Sequence, residues 1–466
     1  MAPVIVNDIH SQLNEASVDE VVPVDSLEEV REAILRAGAQ GTPVAIAGGR
    51  HAMGGQQFCD GGMLLDTSGL SKVLGFDEEG GTIELQAGIE WPGLIEYLAS
   101  KQGGREPQWG IAQKQTGADR LSIGGAISAN VHGRGLKMRP LIADLESFEL
   151  VNADGEVLTC SRDENEELFR LAAGGYGLFG CIHSAILRLL PRRTLERVVE
   201  VRLLDELMPM FEERIRDGYL YGDFQFATDE ASDDFLHRGV FSCYHPIERE
   251  GPPLAGQRAL TRQDWQRLIY LGHTDKARAF KEYSTHYLAT SGQIYYSDAH
   301  QLADYADNYH RAVDERLGAA HPATEMITEI YVPRDRLVDF MAAVAEDFRA
   351  NDVNLIYGTV RLIERDDESF LAWATDRWVC IIFNLHVVHT PEGLEHAADA
   401  FRRLIDLGIE RGGKYYLTYH HWATRSQVEG CYPQFAEFLS LKRAHDPGER
   451  FQSNWYRHHR EMFGGA

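Results

Sequence analysis

Cysteines are few and widely spaced in this 466-residue chain. The six positions include no CxxC pair: Cys59, Cys160, Cys181, Cys243, Cys380 and Cys431. Such spacing suits neither a disulfide framework nor a zinc site, so it favours a reducing compartment. Long apolar runs are missing too. No uncharged hydrophobic stretch reaches the length of about 18 residues that would indicate an integral membrane segment.

Basic residues are also fewer than acidic residues. The chain has 46 Lys and Arg residues against 71 Asp and Glu residues, which gives a formal net charge of −25. A protein this acidic repels phosphate backbones and anionic membranes, so nucleic acid is not an expected partner. The N-terminal segment has no basic region followed by an apolar core, so a Sec-type signal is not expected and the cytoplasm is the expected location.

A helix followed by a strand precedes the most glycine-rich segment of the N-terminal region. Ser26 and Glu29 form a capping box for a helix that the spacing of Leu27, Val30, Ile34 and Ala37 predicts, with its end near Gly38 to Gly41. The segment "TPVAIA" then predicts a short buried strand. It leads directly into "AGGRHAMGG", at residues 47–55. Glycines in this density after a strand indicate a loop that brings its backbone close to a ligand.

Two further segments are rich in glycine, residues 116–135 and 174–180. The second contains a literal GxGxxG, but it follows a predicted helix and precedes a predicted strand. A dinucleotide fingerprint needs the opposite order, so a Rossmann site is not expected. In the first, Gly124 and Gly125 begin a predicted helix of small residues. Either a large ligand lies against this helix, with donors available at its N-terminus, or the glycines permit a tight helix–sheet contact.

Several of these motifs together resemble one known fold. "PVAIAGGRHAMGG", "SIGGAISANVHGRG", "ADLESFELVNADGEVL" and "GGYGLFGCI" occur in the order and spacing of the FAD-binding domain of the vanillyl-alcohol oxidase/p-cresol methylhydroxylase superfamily. Within it, the chain looks most like aldonolactone and alditol oxidases and decaprenylphosphoryl-ribose oxidases. The resemblance implies an α+β fold: a two-subdomain FAD-binding domain at 15–192, a substrate or cap domain with an antiparallel sheet at 193–425, and a segment at 426–466 that returns to the FAD domain.

The resemblance also implies a set of FAD contacts. The first loop would wrap the pyrophosphate with backbone N–H groups, and His51 falls where many relatives bond a histidine to the flavin. The alternative for His51 is a hydrogen-bonding loop residue beside a non-covalent flavin. The implied cofactor-binding residues are Ala47, Gly48, Gly49, Arg50, His51, Ala52, Gly54, Gly55, Gln56, Thr116, Gly117, Ala118, Asp119, Leu121, Ser122, Gly124, Gly125, Ala126, Ser128, Ala129, His132, Gly133, Gly180, Cys181, Ile182 and Tyr415.

The candidate catalytic residues are His421, Tyr419, Glu329, Arg361 and His132. The stretch "KYYLTYHHWATRSQ" resembles a histidine-containing motif of the lactone oxidases, although Thr424 stands where they have lysine. A neutral histidine is a suitable base near pH 7, which favours His421. Glu329 lies in an otherwise apolar strand, so it is either buried with a partner or facing a ligand cavity. For His132 the alternative is a packing histidine.

These residues predict an FAD-dependent enzyme that oxidises a hydroxyl of a sugar, polyol or aldonolactone by hydride transfer to the flavin, with dioxygen or another electron acceptor. The alternatives are oxidation of a different alcohol with an acceptor other than dioxygen, or a non-catalytic flavin-binding protein. No metal is expected, because His386 and His389 have opposite strand parity and cannot face one ligand. The C-terminal His458 and His459 are expected in a solvated tail.

Overall fold

A computed structural model describes residues 3–249, 253, 256–303 and 309–464. Its N-terminal part, up to Pro191, combines short strands with helices. The strands are β1 (Val4–Val6), β2 (Ala16–Val18), β3 (Glu20–Pro23), β4 (Val44–Ala47), β5 (Met63–Asp66), β6 (Val73–Asp77), β7 (Thr82–Gln86), β8 (Trp109–Gly110), β9 (Leu145–Val151), β10 (Val157–Ser161), β11 (Cys181–Arg188) and β12 (Leu190–Pro191), and the helices are α1 (Leu27–Gln40), α2 (Trp91–Lys101), α3 (Ile123–Ala129) and α4 (Glu166–Ala172).

Two sheets carry the glycine-rich loops of this part. A parallel sheet has the order β3-β5-β4, and an antiparallel sheet has the order β10-β9-β11-β7-β6. The predicted capping box of α1 is present on the Ser26 side, whose hydroxyl accepts from the Glu29 N–H, and the helix ends at Gly41 with φ of 68°. Its apolar face, with Val30 and Ile34, packs against the parallel sheet and fixes the position of β4.

The second part is built on one long antiparallel sheet. Its strands are β13 (Thr194–Leu203), β14 (Tyr221–Phe226), β15 (Arg238–Pro246), β16 (Ile294–Tyr296), β17 (Ala323–Pro333), β18 (Leu355–Ile363), β19 (Trp378–Val388) and β20 (Lys414–Tyr415), in the order β16-β13-β15-β14-β18-β19-β17-β20. The helices are α5 (Leu204–Arg216), α6 (Arg262–Thr274), α7 (Lys276–Leu288), α8 (Tyr309–Leu317), α9 (Leu337–Ala350) and α10 (Pro391–Ile409).

Helices cover both faces of this sheet, and side-chain alternation assigns each residue to a face. Phe383 of β19 packs against Phe340 and Phe348 of α9 on one face. Its neighbours Ile382 and Asn384 lie on the opposite face, which α6, α7 and α8 cover and which borders a cavity. The sheet is therefore buried on both sides, which accounts for the nearly continuous apolar sequence of β17 and β19.

The last part of the chain packs against the first. Helices α11 (Arg425–Cys431), α12 (Phe435–His445) and α13 (Asn454–Met462) follow β20. Between α12 and α13, Phe451 forms a parallel bridge with Val44 at the start of β4. The N–H of Asn454 donates to the carbonyl of Phe58 at 2.6 Å, and its side-chain carbonyl accepts from the N–H of Asp60 at 3.0 Å. The C-terminal segment thus braces the strand that precedes the first glycine loop.

The predicted α+β class is confirmed by this architecture. All six cysteines are buried free thiols. Among the helices of the described residues, none has both the length and the apolar composition that crossing a bilayer requires.

The prediction of a solvated tail is wrong for His459. Its side chain is 1 % exposed, stacks on Trp455 at 4.3 Å between ring centroids, and donates from Nδ1 to the Trp455 carbonyl at 2.8 Å. The cause is that α13 is amphipathic and turns Trp455, Tyr456 and His459 towards the core. Burial outweighs the hydrogen bond and lowers the pKa of His459 to about 3.

We expect His459 to make the protein sensitive to acid. The pKa of His459 is depressed in the folded state, so the unfolded chain binds a proton at this residue first as the pH falls below about 6.5. Below that pH the free energy of unfolding declines by about 1.4 kcal/mol per pH unit. His459→Phe should reduce the loss of unfolding free energy between pH 7 and about pH 4.5 by about 2–3 kcal/mol. Urea denaturation at both pH values measures this loss. The exposed His396→Gln is the control, and equal losses in wild type and His459→Phe would contradict the assignment.

Candidate active site

A cavity of about 600 Å³ lies where the glycine-rich loops of the N-terminal part meet the eight-stranded sheet. Its volume is in the range of small-molecule and cofactor sites. Among the described residues that line it, the acidic side chains are Asp223 and Glu329. They are outnumbered by five guanidinium groups, those of Arg50, Arg134, Arg197, Arg258 and Arg361. The cavity is therefore electropositive in a protein whose net charge is strongly negative.

Two loops at the cavity wall meet with almost no side-chain material between them. A Cβ atom on Gly48 would lie 2.1 Å from the hydroxyl oxygen of Ser122, and one on Gly49 would lie 2.2 Å from the carbonyl oxygen of Arg120. Only glycine fits at these two positions, because any Cβ would push the loops apart. The first glycine loop is thus locked against the start of α3.

The donors at the start of α3 are already used inside the protein. The N–H of Ile123 donates to Ile89, that of Gly124 to Ala87 at 2.7 Å, and that of Gly125 to the Ser122 hydroxyl. The expectation of available donors at this N-terminus is therefore wrong for these three groups. A Cβ on Gly124 would lie 2.9 Å from the Ala87 Cβ, so the tight helix–sheet contact accounts for this glycine.

Glu329 is the most buried acidic group at the cavity, with no exposed surface. Its Oε2 lies 2.8 Å from His132 Nε2 and accepts from the Tyr331 hydroxyl at 2.7 Å, and its Oε1 accepts from the Tyr419 hydroxyl at 2.6 Å. Burial opposes ionisation, but His132 and the hydroxyl donors outweigh it and lower the pKa of Glu329 to about 2. Glu329 is therefore a carboxylate at neutral pH.

His132 is held between this carboxylate and the backbone. Its Nδ1 donates to the carbonyl of Gly133 at 3.0 Å, since a carbonyl only accepts, and its Nε2 lies against Glu329. His132 does not line the cavity directly; it lies behind Glu329, against the Trp373 ring. The sequence analysis offered two alternatives for Glu329, burial with a partner or a position facing a ligand cavity. Both hold, because Glu329 is buried with partners and also borders the cavity.

The segment after β20 places Tyr419 at the site and His421 outside it. Tyr419 lines the cavity, and burial next to Glu329 raises its pKa well above the usual value. His421 instead donates from Nδ1 to the carbonyl of Gly54 at 3.3 Å and stacks on His458. The structure thus does not place His421 among the described cavity residues. Thr424, at the expected lysine position, caps α11 through its hydroxyl.

Comparison with known proteins identifies the family to which this architecture belongs. The model for an FAD binding domain matches residues 18–161, and the model for D-arabinono-1,4-lactone oxidase matches residues 321–459. One relative aligns almost from end to end, L-gulono-1,4-lactone dehydrogenase of Mycobacterium tuberculosis, at 25 % identity over 94 % of this chain and 95 % of the relative. The chain belongs to the vanillyl-alcohol oxidase/p-cresol methylhydroxylase superfamily of FAD-dependent oxidoreductases.

Two further relatives are named as oxidases. L-gulonolactone oxidase of Bos taurus is 27 % identical over 44 % of this chain and 45 % of its own length. Decaprenylphosphoryl-beta-D-ribose oxidase of Mycolicibacterium smegmatis is 22 % identical over 95 % of this chain and 94 % of its own length. The predicted resemblance to this superfamily is confirmed.

The cavity residues fit an FAD molecule. His51 Nε2, Gln57 Oε1 and Gln115 Oε1 are buried beside the glycine loops and have no hydrogen-bond partner among the described residues. Buried polar atoms in native proteins are rarely left unpaired, so these three atoms indicate a polar ligand. The electropositive lining also suits a pyrophosphate. FAD would lie against the first loop, the segment 116–118 and α3.

Most of the predicted cofactor-binding residues line the cavity. They are Ala47, Gly48, Gly49, Arg50, His51, Ala52, Gln56, Thr116, Gly117, Ala118, Leu121, Ser122, Gly124, Gly125, Ser128, Ala129, Gly180 and Ile182. Those that the structure places elsewhere are Gly54, Gly55, Asp119, Ala126, His132, Gly133, Cys181 and Tyr415.

Several of the predicted residues that do not line the cavity contact other parts of the protein. Asp119 forms an ion pair with Lys114 at 2.5 Å, and Cys181 is buried in the core beneath α1. Gly55 lies against the C-terminal segment near Asn454. Tyr415 pairs with Ile330 in β20, so alternation turns its neighbour Tyr416 towards the cavity instead.

Arg361 is the predicted site residue with the most unpaired donors. It lies on β18, is 4 % exposed and lines the cavity. Its Nε and Nη1 have no hydrogen-bond partner among the described residues. Thr359, two residues before it, donates its hydroxyl to the Phe224 carbonyl and so stabilises the sheet. A buried guanidinium with unused donors indicates an oxygen-rich ligand.

Sequence reasoning missed the polar wall on the sheet side. Arg134 pairs with Asp223 at 3.3 Å, and the Arg197 guanidinium lies 4.4 Å from the centre of the Tyr287 ring. Tyr244 and His300 complete this wall. The sequence carries no local signal for this wall, because its residues come from separate strands and loops that only the fold brings together.

We expect Gly48→Ala to weaken FAD binding. The new methyl group would collide with Ser122 and separate the two loops, at a cost of about 1–3 kcal/mol. The dissociation constant for FAD should rise roughly ten- to hundredfold, measured in a His51→Ala background, from which FAD can be removed and added back. Gly103→Ala, where an added Cβ meets no atom within 4 Å, should bind FAD like the wild type. Unchanged FAD affinity in Gly48→Ala would refute the proposed locking of the loops.

Proposed function

We propose that this chain oxidises the CH–OH group of a sugar, polyol or aldonolactone, with FAD as the redox cofactor and either dioxygen or another electron acceptor. The observation that carries the proposal is the buried Glu329 carboxylate at the cavity wall, bonded to His132, Tyr331 and Tyr419. The segment that matches the D-arabinono-1,4-lactone oxidase model contains Glu329, Tyr419 and Arg361. Relatives include both a dehydrogenase and an oxidase, which supports either kind of acceptor.

Tyr419 and Glu329 are proposed to take the proton of the substrate hydroxyl. When bound, the flavin supplies the electron sink that accepts the hydride from the substrate C–H bond. Tyr419 Oη receives the hydroxyl proton while its own proton passes over the 2.6 Å hydrogen bond to Glu329 Oε1. His132 holds the other carboxylate oxygen and compensates its charge. His421 has no part in this transfer because it lies outside the cavity.

Arg361 and the polar wall are proposed to position the substrate. The free donors Nε and Nη1 of Arg361 can bind substrate oxygens or stabilise negative charge on the reduced cofactor. The ion pair of Arg134 with Asp223 and the phenols beside it offer both donors and acceptors. Such a wall is suited to a ligand with several hydroxyl groups.

His51 is proposed to carry FAD covalently. Its Nδ1 lies 2.8 Å from His10 Nε2, and Nε2 is buried without a hydrogen-bond partner among the described residues. Burial, reinforced by His10, lowers the pKa of His51 to about 3. The ring is therefore neutral at physiological pH and has a lone pair available to form a bond to the flavin.

The domain organisation and the location are also proposals. An FAD-binding domain at 15–192, a substrate domain at 193–425 and a returning segment at 426–466 are supported by the two separate large sheets and by the bridge of Phe451 to Val44. Six buried free thiols support a reducing compartment such as the cytoplasm.

Glu329→Gln should abolish most of the activity. The amide cannot accept the proton from Tyr419, so we expect kcat to fall by about 10²- to 10⁴-fold while the visible flavin absorbance remains. Anaerobic bleaching of the flavin by a panel of aldonolactones, alditols and sugars identifies the substrate, and turnover is then measured with dioxygen and with an artificial acceptor. The exposed Glu346→Gln is the control. A wild type that no panel member reduces, or a Glu329→Gln variant of normal kcat, would refute the proposal.

His51→Ala should release the cofactor on denaturation. After acid precipitation, we expect the yellow colour of the wild type to stay with the pellet, because a covalent bond survives unfolding. In His51→Ala the flavin should move entirely to the supernatant, and His458→Ala, next to the same loop but outside the cavity, should behave like the wild type. Flavin in the wild-type supernatant would instead establish a non-covalent cofactor.

A further inference from the structure

A second buried carboxylate lies on the same strand as Glu329 and has no part in the proposed reaction. Glu325 precedes Glu329 by four residues on β17, so alternation places both on the cavity-facing side of the sheet, roughly 13 Å apart along the strand. Ile327 lies between them at the cavity wall. Glu325 is 4 % exposed. Burial of a second charge this deep requires partners.

Three histidines from three other elements converge on Glu325. His386 is its register partner on β19, and its Nδ1 lies 3.5 Å from Glu325 Oε1. His273, in the last turn of α6, places Nε2 3.0 Å from the same oxygen. His310, in the first turn of α8, places Nδ1 2.6 Å from Oε2. The rings of His273 and His386 meet edge to face.

These nitrogen atoms approach the carboxylate closely, but they are poorly aligned for hydrogen bonds. His273 Nε2, His310 Nδ1 and His386 Nδ1, together with Glu325 Oε2, make no well-formed hydrogen bond in the part of the chain that the structure describes. The side chains of His273, His310 and Glu325 are at most 6 % exposed. Buried polar groups that converge without well-formed hydrogen bonds between them are costly, so the arrangement indicates a ligand at their centre.

The spacing of these atoms matches metal coordination. His273 Nε2, a Glu325 oxygen and His386 Nδ1 lie within 4.8 Å of one another. In a tetrahedral zinc site with bonds of about 2.0–2.1 Å, ligand atoms are about 3.3 Å apart, and the two histidine nitrogens here lie 3.0 and 3.5 Å from Glu325 Oε1. Imidazole and carboxylate ligands together favour Zn²⁺ or a similar divalent transition metal, whereas Ca²⁺ and Mg²⁺ prefer sites made of oxygen atoms.

We propose that His273, Glu325 and His386 form a binding site for a divalent transition metal of the Zn²⁺ class. His310 holds the second carboxylate oxygen and so orients the ligand, as partners outside the first coordination shell commonly do. The expectation of no metal considered only His386 and His389, and His389 Nε2 lies 2.9 Å from the Thr324 hydroxyl oxygen. That expectation considered only one strand, and the proposed ligands come from β17, β19 and α6.

The proposed metal would fix the helices that border the cavity. Ile269 precedes His273 by one turn on the same face of α6 and lines the cavity, and Tyr309 at the start of α8 lines it too. A bond from α6 to the sheet would therefore set the position of this wall. The site is separate from the group of His132, Glu329 and Cys380, which are also close enough to bind a metal but include a thiol.

The test is zinc binding by the full-length FAD-loaded protein. After treatment with a chelator, the protein is titrated with Zn²⁺ in competition with a chromophoric zinc indicator. We expect one equivalent to bind the wild type and His389→Gln, the matched control on the neighbouring face of the same strands. Glu325→Gln and His273→Gln should bind at least a hundredfold more weakly. A wild type that binds no zinc, or variants that bind it as tightly as the wild type, would overturn the proposal.

A second measurement needs no variant and so does not depend on their folding. X-ray absorption at the zinc edge of the wild-type complex should show nitrogen and oxygen ligands at about 2.0–2.1 Å, with imidazole scattering and no sulfur. Sulfur in the first shell would place the ion at Cys380 instead and overturn the assignment. Zinc should also raise the unfolding temperature of the wild type and of His389→Gln, but not that of Glu325→Gln; equal shifts in all three would contradict the site.

Discussion

The buried charge of Glu329 is the constraint on which this molecule depends. A carboxylate without solvent contact is stable only if each oxygen is paired, and removing one partner of such a group typically costs about 3–5 kcal/mol. Two of the partners, His132 and Tyr419, come from distant segments, and the third, Tyr331, lies two residues away on the same strand. The hydrogen bonds to this one carboxylate therefore hold the glycine-rich part, the long sheet and the segment after β20 in one arrangement, with the cavity between them.

Local patterns in the sequence predicted the elements around the first glycine loop. The Ser26 cap and apolar spacing of α1 and the strand before the loop depend on neighbouring residues, and they are present. A ligand-binding loop could be predicted because close approach of two backbones requires glycine at fixed positions such as Gly48 and Gly49, whereas FAD was implied by the resemblance to the superfamily. These requirements are local, so they are visible in one sequence.

The parts that could not be predicted depend on the direction of side chains outside regular elements. Tyr419 and His421 are two residues apart in an irregular segment, and nothing local decides which of them meets Glu329. Tyr415 and Tyr416 pose the same problem at a strand of two residues. The cluster around Glu325 is harder still, because it joins four elements that only the folded chain brings together.

The bridge between Phe451 and Val44 has a consequence for synthesis. The strand that leads into the first glycine loop leaves the ribosome long before Phe451 and Asn454, the residues that complete its edge and brace its loop. Domains that finish early can fold while translation continues, but this loop cannot reach its final contacts until those residues have been synthesised. Incorporation of the cofactor is thereby coupled to synthesis of the segment that contains Phe451, so a product truncated before it would lack a finished binding loop.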